Sequence, residues 1–142
     1  MRFQNGARQP IDFFAHGPNN RSMSRPEAVR RVKSYSSATG YVYQYYFYEV
    51  KKVRRGQSAG TEYVYMVSRD RKKAFPLRIF IRHDAVEKWN QSVGRPLSGT
   101  EEYAVAKMRL FQALDEDEDI EMHPDLVVDD TNLTELLGKL DL

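Results

Sequence analysis

Apolar and polar positions alternate through the middle of this chain, and a helical spacing flanks the alternation on both sides. Tyr41 to Arg54 reads YVYQYYFYEVKKVR, dense in the aromatic and β-branched residues that suit a pleated surface. Thr61 to Ser68 alternates Tyr63, Tyr65 and Val67 with Val64 and Met66. In Phe75–Arg82, Leu77, Ile79 and Ile81 take one face while Arg78, Phe80 and Arg82 take the other. The links GQSAG (56–60) and Arg69–Lys73 are short, which predicts a three-stranded antiparallel meander. Pro76 places the third strand at an edge, or lies at its start.

Helices are predicted around that meander. Ser24 and Glu27 form a capping box, with Pro26 in the first turn, for a helix over Arg25–Tyr35. Asp84 can cap a helix reaching about Gln91, with Ala85, Val86 and Trp89 inward, until Gly94 and Pro96 break it. Ser98 and Glu101 open another, ending near Leu114, whose stripe is Tyr103, Ala106, Leu110, Phe111 and Leu114. The fold class is therefore α+β: one helix before the meander, two after it, and an acidic C-terminal extension.

Two flanking segments differ from this domain, which spans 24–114. Residues 1–23 are rich in Asn, Gly, Pro and Arg and read as an irregular arm that docks through Ile11, Phe13 and Phe14. Residues 115–142 hold eleven acidic residues against one Lys, beginning with DEDEDIE. Within this tail, Leu133, Leu136, Leu137 and Leu140 follow helical spacing and predict a short amphipathic helix over 131–140, with Thr131 as cap. Gly138 weakens it by about 1 kcal/mol relative to Ala.

Charge changes the picture more than composition does. Residues 1–73 carry fifteen Lys and Arg against five Asp and Glu, a net of +10; residues 74–142 carry seven against fifteen, a net of −8. A basic, tyrosine-dense half points to a polyanionic partner, and the acidic end can act as its internal mimic. The absence of cysteine removes disulfides, thiolate metal sites and a cysteine nucleophile together. No apolar run approaches the roughly 18–20 residues that span a bilayer, and the first residues lack a secretory apolar segment. A soluble, cytoplasmic protein with no membrane contact is expected.

Catalytic and metal chemistry is sparse. His16, His83 and His123 fall in an arm, a strand–helix junction and a tail. His83 beside Asp84 resembles an oriented base, but a strand end and a helix cap account for the pair more simply. Asp115, Asp117 and Asp119 match the first three ligands of a calcium loop. Ile120 then stands where Gly is needed, and Leu126 where a bidentate Glu is needed. Glycines at 56, 60, 94 and 99 form no phosphate loop. No cofactor, metal or catalytic residue is assigned.

The remaining constellation is the tyrosine strand. Tyr41, Tyr43, Tyr45 and Phe47 share one face; Val42, Tyr46, Tyr48 and Val50 share the other. Rings left open would stack on unpaired bases, at about 1–3 kcal/mol each. Arg54, Arg55, Arg69, Arg71, Lys72 and Lys73 would hold phosphates, with Arg78 and Arg82 along the sheet. In a meander the 54–60 turn and the 69–73 loop fall at opposite ends, which predicts two basic poles unless twist or the first helix joins them. The leading expectation is a small non-catalytic binding protein that contacts single-stranded nucleic acid, with the tail modulating access. The alternative is a protein-interaction adaptor or homo-oligomer using Leu133, Leu136, Leu137 and Leu140, or an exposed aromatic face.

Overall fold

The computed structural model describes residues 31–140. The arm expected over 1–23, the Ser24–Glu27 capping box and the beginning of the predicted first helix lie outside the described residues. Where that helix was to end, the chain is instead a strand, β1 (Lys33–Ser36). It pairs antiparallel with β2 (Val42–Arg55), Tyr35 opposite Tyr43. The helical spacing of Val32 and Tyr35 loses to tertiary packing, because the Tyr35 ring lies flat on Phe111 at 4.2 Å.

The meander is present and longer than expected. β2 and β3 (Ser58–Arg69) form a hairpin around Gly56, whose φ of +60° suits the two-residue turn. β3 thus starts three residues before the predicted Thr61, and a bulge between Phe47 and Glu49 shifts its register with β2. β4 (Phe75–Arg82) has the predicted bounds and pairs antiparallel with β3. The sheet does not stop at three strands. Its order is β1-β2-β3-β4-β5, and β5 (Asp125–Val128) runs parallel to β4, making the sheet mixed. Pro76 tolerates this arrangement because β5 pairs only with Arg78–Ile81, beyond the proline.

Helices α1 (His83–Val93) and α2 (Gly99–Glu116) follow β4. α1 starts directly from the strand, with extended Arg82 at its N-cap and no side-chain cap. Asp84 sits in the first turn rather than capping it, where the helix dipole favours a carboxylate and Arg82 pairs with it at 2.6 Å. Gly94 ends α1 in the left-handed region. The Ser98–Glu101 box caps α2 as the sequence predicts: Ser98 Oγ accepts from Glu101 N, and Glu101 Oε1 accepts from Ser98 N.

One core joins these helices to the sheet. Tyr43, Tyr45, Tyr63, Tyr65, Val67, Leu77, Ile79 and Ile81 meet Ala85, Val105, Ala106, Leu110, Ala113 and Leu114. The acidic stretch contributes to the same core. Ile120 enters it from a short 3-10 turn, Leu126 and Val128 from β5, and Leu133, Leu136 and Leu137 from α3 (Leu133–Gly138). α3 is shorter than the predicted 131–140, and Asn132 rather than Thr131 is its N-cap. Thr131 instead donates to Asp129 Oδ1 within the preceding turn.

Two measurements follow from this packing. Leu136→Ala should destabilise the fold by about 2–5 kcal/mol in urea unfolding, since the side chain is fully buried. Separately, hydrogen bonds from Arg95 and from the Ser98 amide hold the Glu101 carboxyl at about 2 against an ordinary 4.5. A carboxyl lowered in the folded state stabilises above its unfolded pKa, and that contribution disappears as pH falls toward the folded one. Acid titration followed by circular dichroism should lose stability between about pH 4.5 and 2, and Glu101→Gln should flatten that limb.

Candidate polyanion-binding turn

The structure keeps the two basic segments apart. β2 and β3 pair from Tyr43–Arg69 at one end to Arg55–Ser58 at the other. At roughly 3.4 Å per residue this separates the ends by about 35–40 Å. The predicted phosphate-holding set is therefore two poles, and their surroundings differ.

At the hairpin pole the cations face carboxylates. Arg55 Nη2 lies 2.7 Å from Glu62 and 4.0 Å from Asp125, while its guanidinium covers the Phe80 ring at 4.5 Å. Lys51 reaches Glu49 at 3.3 Å and Glu62 at 3.7 Å. Arg82 forks onto Asp84, and Arg78 pairs across from Asp125 in the ladder. Arg54 remains exposed, with a weak contact to the Gln57 carbonyl.

The other pole is a rigid turn. Arg69, Asp70, Arg71 and Lys72 close with a 3.1 Å bond from Lys72 N to the Arg69 carbonyl. Asp70 and Arg71 have φ of 54° and 63°, so both central residues of this I′-like turn are left-handed without being glycine. Such a conformation costs roughly 1–2 kcal/mol per residue. Neighbours offset the cost: Asp70 N donates to the Val42 carbonyl at 2.9 Å, and Arg71 N to Gln44 Oε1 at 2.9 Å. Ser68 Oγ donates to the Lys72 carbonyl. Gln44 and Ser68 are buried, so the clamp sits below the surface while Arg71, Lys72 and Lys73 stand exposed above it. Among the described residues the Lys72 and Lys73 side chains meet no carboxylate within 4 Å. Arg69 stacks over Tyr41 at 4.1 Å and donates to the Glu118 carbonyl at 2.7 Å.

The stacking residues are corrected by the structure. Tyr43 is fully buried and Tyr45 nearly so, under α2; Tyr41 is half-buried beneath Arg69. This face closes the core, so its rings are withheld from bases. Burial also pushes the Tyr65 and Tyr63 hydroxyls well above the ordinary phenol pKa. The leucine stripe is likewise spent: Leu133, Leu136 and Leu137 are buried and Leu140 packs against them, so that surface is not presented to a partner.

The two described histidines have structural partners. His83 Nε2 shares Thr61 Oγ1 at 3.0 Å with Lys52 Nζ at 3.3 Å, but Thr61 is only 2% exposed, so this hydroxyl ties α1 to β3 rather than facing a substrate. His123 Nδ1 lies 3.0 Å from Asp117 on the surface; His16 lies outside the described residues. Among the described residues no cluster of acidic and imidazole groups is placed to hold a metal, and no helix is long and apolar enough to cross a membrane.

Sequence reasoning located the basic loop but missed its clamp. Gln44 reads as an interruption in an aromatic strand, and Ser68 as a strand end; only the three-dimensional register brings both beneath Arg71. The seven residues between the paired Val67 and Phe75, SRDRKKA, carry no Gly or Asn to mark left-handed positions, so no local signal announced the turn. Comparison with known proteins finds no family model, no curated protein and no solved structure that the chain matches.

The strain in the turn can be tested directly. Replacing Asp70 and Arg71 with Asn and Gly should raise stability by about 1 kcal/mol in urea unfolding, by relieving left-handed strain. Gln44→Ala should lower it by about 1–3 kcal/mol, by stranding the Arg71 amide.

Proposed function

We propose that this protein is a non-catalytic nucleic-acid-binding protein that grips phosphates with the turn Arg69–Lys73. The supporting observation is the turn itself: two left-handed non-glycine residues clamped by buried polar side chains, with Arg71, Lys72 and Lys73 raised above them. Strained, well-supported backbone concentrates at functional positions, and a turn already held in one conformation spends little backbone entropy in presenting its cations to phosphate.

This reading differs from a stacking platform. With Tyr43 and Tyr45 in the core, affinity would come from phosphate neutralisation and would carry little sequence preference. The acidic stretch supports a modulating role, since Arg69 holds the Glu118 carbonyl beside the turn. Carboxylates there would compete locally with an incoming polyanion and narrow the face it can approach.

The test is fluorescence anisotropy with labelled single- and double-stranded oligonucleotides at several salt concentrations. Replacing Arg71, Lys72 and Lys73 with Ala should weaken binding roughly tenfold or more at low salt. It should also flatten the duplex log K against log salt slope by about 2–3, near 0.9 per lost phosphate contact. Binding that ignores salt, or that survives the triple substitution unchanged, would refute the reading.

A further inference from the structure

The two edges of the sheet are finished differently. On β5 the Val127 carbonyl accepts from Arg109 Nε and Asn132 Nδ2, both at 3.1 Å, so side chains seal that edge. At the other edge β1 flanks β2 only from Val42 to Tyr45. Further along, among the described residues, Glu49–Arg55 has a strand on one side alone, which is β3. The two-residue turn at Gly56 makes Arg55 and Ser58 a hydrogen-bonded pair, and the pattern alternates from there. Arg55, Val53 and Lys51 therefore bond to β3, while the N–H and C=O groups of Arg54, Lys52 and Val50 point outward.

We propose that this edge takes an extended acidic segment of a partner protein as a further strand, antiparallel to β2 and paired with Val50, Lys52 and Arg54. Open backbone groups supply the pairing, and the side chains supply the choice of partner. Val50 is 47% exposed, and Lys52 and Arg54 follow it on the same face. Among the described residues neither cation meets a carboxylate: Lys52 donates to Thr61 Oγ1 and Arg54 to the Gln57 carbonyl. Lys51, on the other face, is already held by Glu49 and Glu62. A second copy is a poor occupant, because antiparallel self-pairing sets Lys51 or Lys52 against a cation of the other copy. Carboxylates opposite Lys52 and Arg54 replace that repulsion with attraction. The inference is independent of the nucleic-acid reading, since the Arg69–Lys73 turn lies at the far end of β2.

Fluorescence anisotropy on the full chain tests it with a fluorescein-labelled heptapeptide, TEVETVT, which sets Glu opposite Arg54 and Lys52 and Val opposite Val50. Saturable binding is expected. Methylating its second, fourth and sixth amides, which face β2, should weaken binding roughly tenfold or more, whereas methylating the third and fifth should not. Lys52→Glu combined with Arg54→Glu should lose this peptide and bind TKVKTVT instead, which also shows that the variant is folded. Where the double variant loses its circular dichroism signal, the two methylated peptides decide alone. Absence of binding, or equal binding by both methylated peptides, would overturn the inference. Oligonucleotide binding that disappears in the double variant, with no peptide bound by the unaltered chain, assigns the strip to phosphates and overturns it too.

Discussion

Tyr43, Tyr45 and Phe47 on β2 stand beside Tyr63 and Tyr65 on β3, and that much ring surface on one side of a hairpin has to leave water. α2 provides the cover. Its Ala106 and Ala113 are small enough to let the helix approach, and Val105, Leu110 and Leu114 fill the space between. Edge-on contacts of Phe47 with Tyr65 and Tyr103, both near 6 Å, add about 0.5–1.5 kcal/mol each beyond burial. Two of the polar tips are satisfied at the margin of the layer: Tyr63 donates to Glu102, and Tyr35 to Asp115. The last contact also binds the β1–β2 link, because Asp115 accepts from the Ala38 amide as well.

That arrangement explains how an acidic run becomes ordered. A string of carboxylates repels itself when nothing else holds it. Here individual members have work: Asp115 accepts two hydrogen bonds, Asp117 accepts the Asp119 amide and faces His123, and Asp129 organises the turn before α3. Ile120, Leu126, Val128 and the α3 leucines contribute the burial. At about 1.5–3 kcal/mol per fully buried side chain, this outweighs the screened repulsion among half-exposed carboxylates.

The two ends of the hairpin show the same residue types used differently. Around Arg55 the cations are absorbed by Glu62 and Asp125, which consolidates the sheet. Around Arg71 the buried polar groups act on the backbone, and among the described residues Lys72 and Lys73 reach no carboxylate. Charge counted along the sequence cannot separate these cases, because the neutralising carboxylates come from a facing strand and from β5.

Local chemistry was legible where it is self-contained. Strand alternation in Phe75–Arg82, the Ser98–Glu101 capping box and the Tyr103–Leu114 stripe depend on residues a few positions apart, and each appears as the sequence predicts. Tertiary structure decided the rest. Tyr35 became a strand residue because Phe111 stacks on it. The acidic stretch added a parallel strand because Leu126 and Val128 complete a core they cannot reach locally. The tyrosines of β2 closed that core instead of offering a platform, since period-two alternation shows which residues share a face and not which face another layer will cover. Only the assembled sheet, by laying Gln44 and Ser68 beneath Arg71, turned a run of basic residues into a fixed turn.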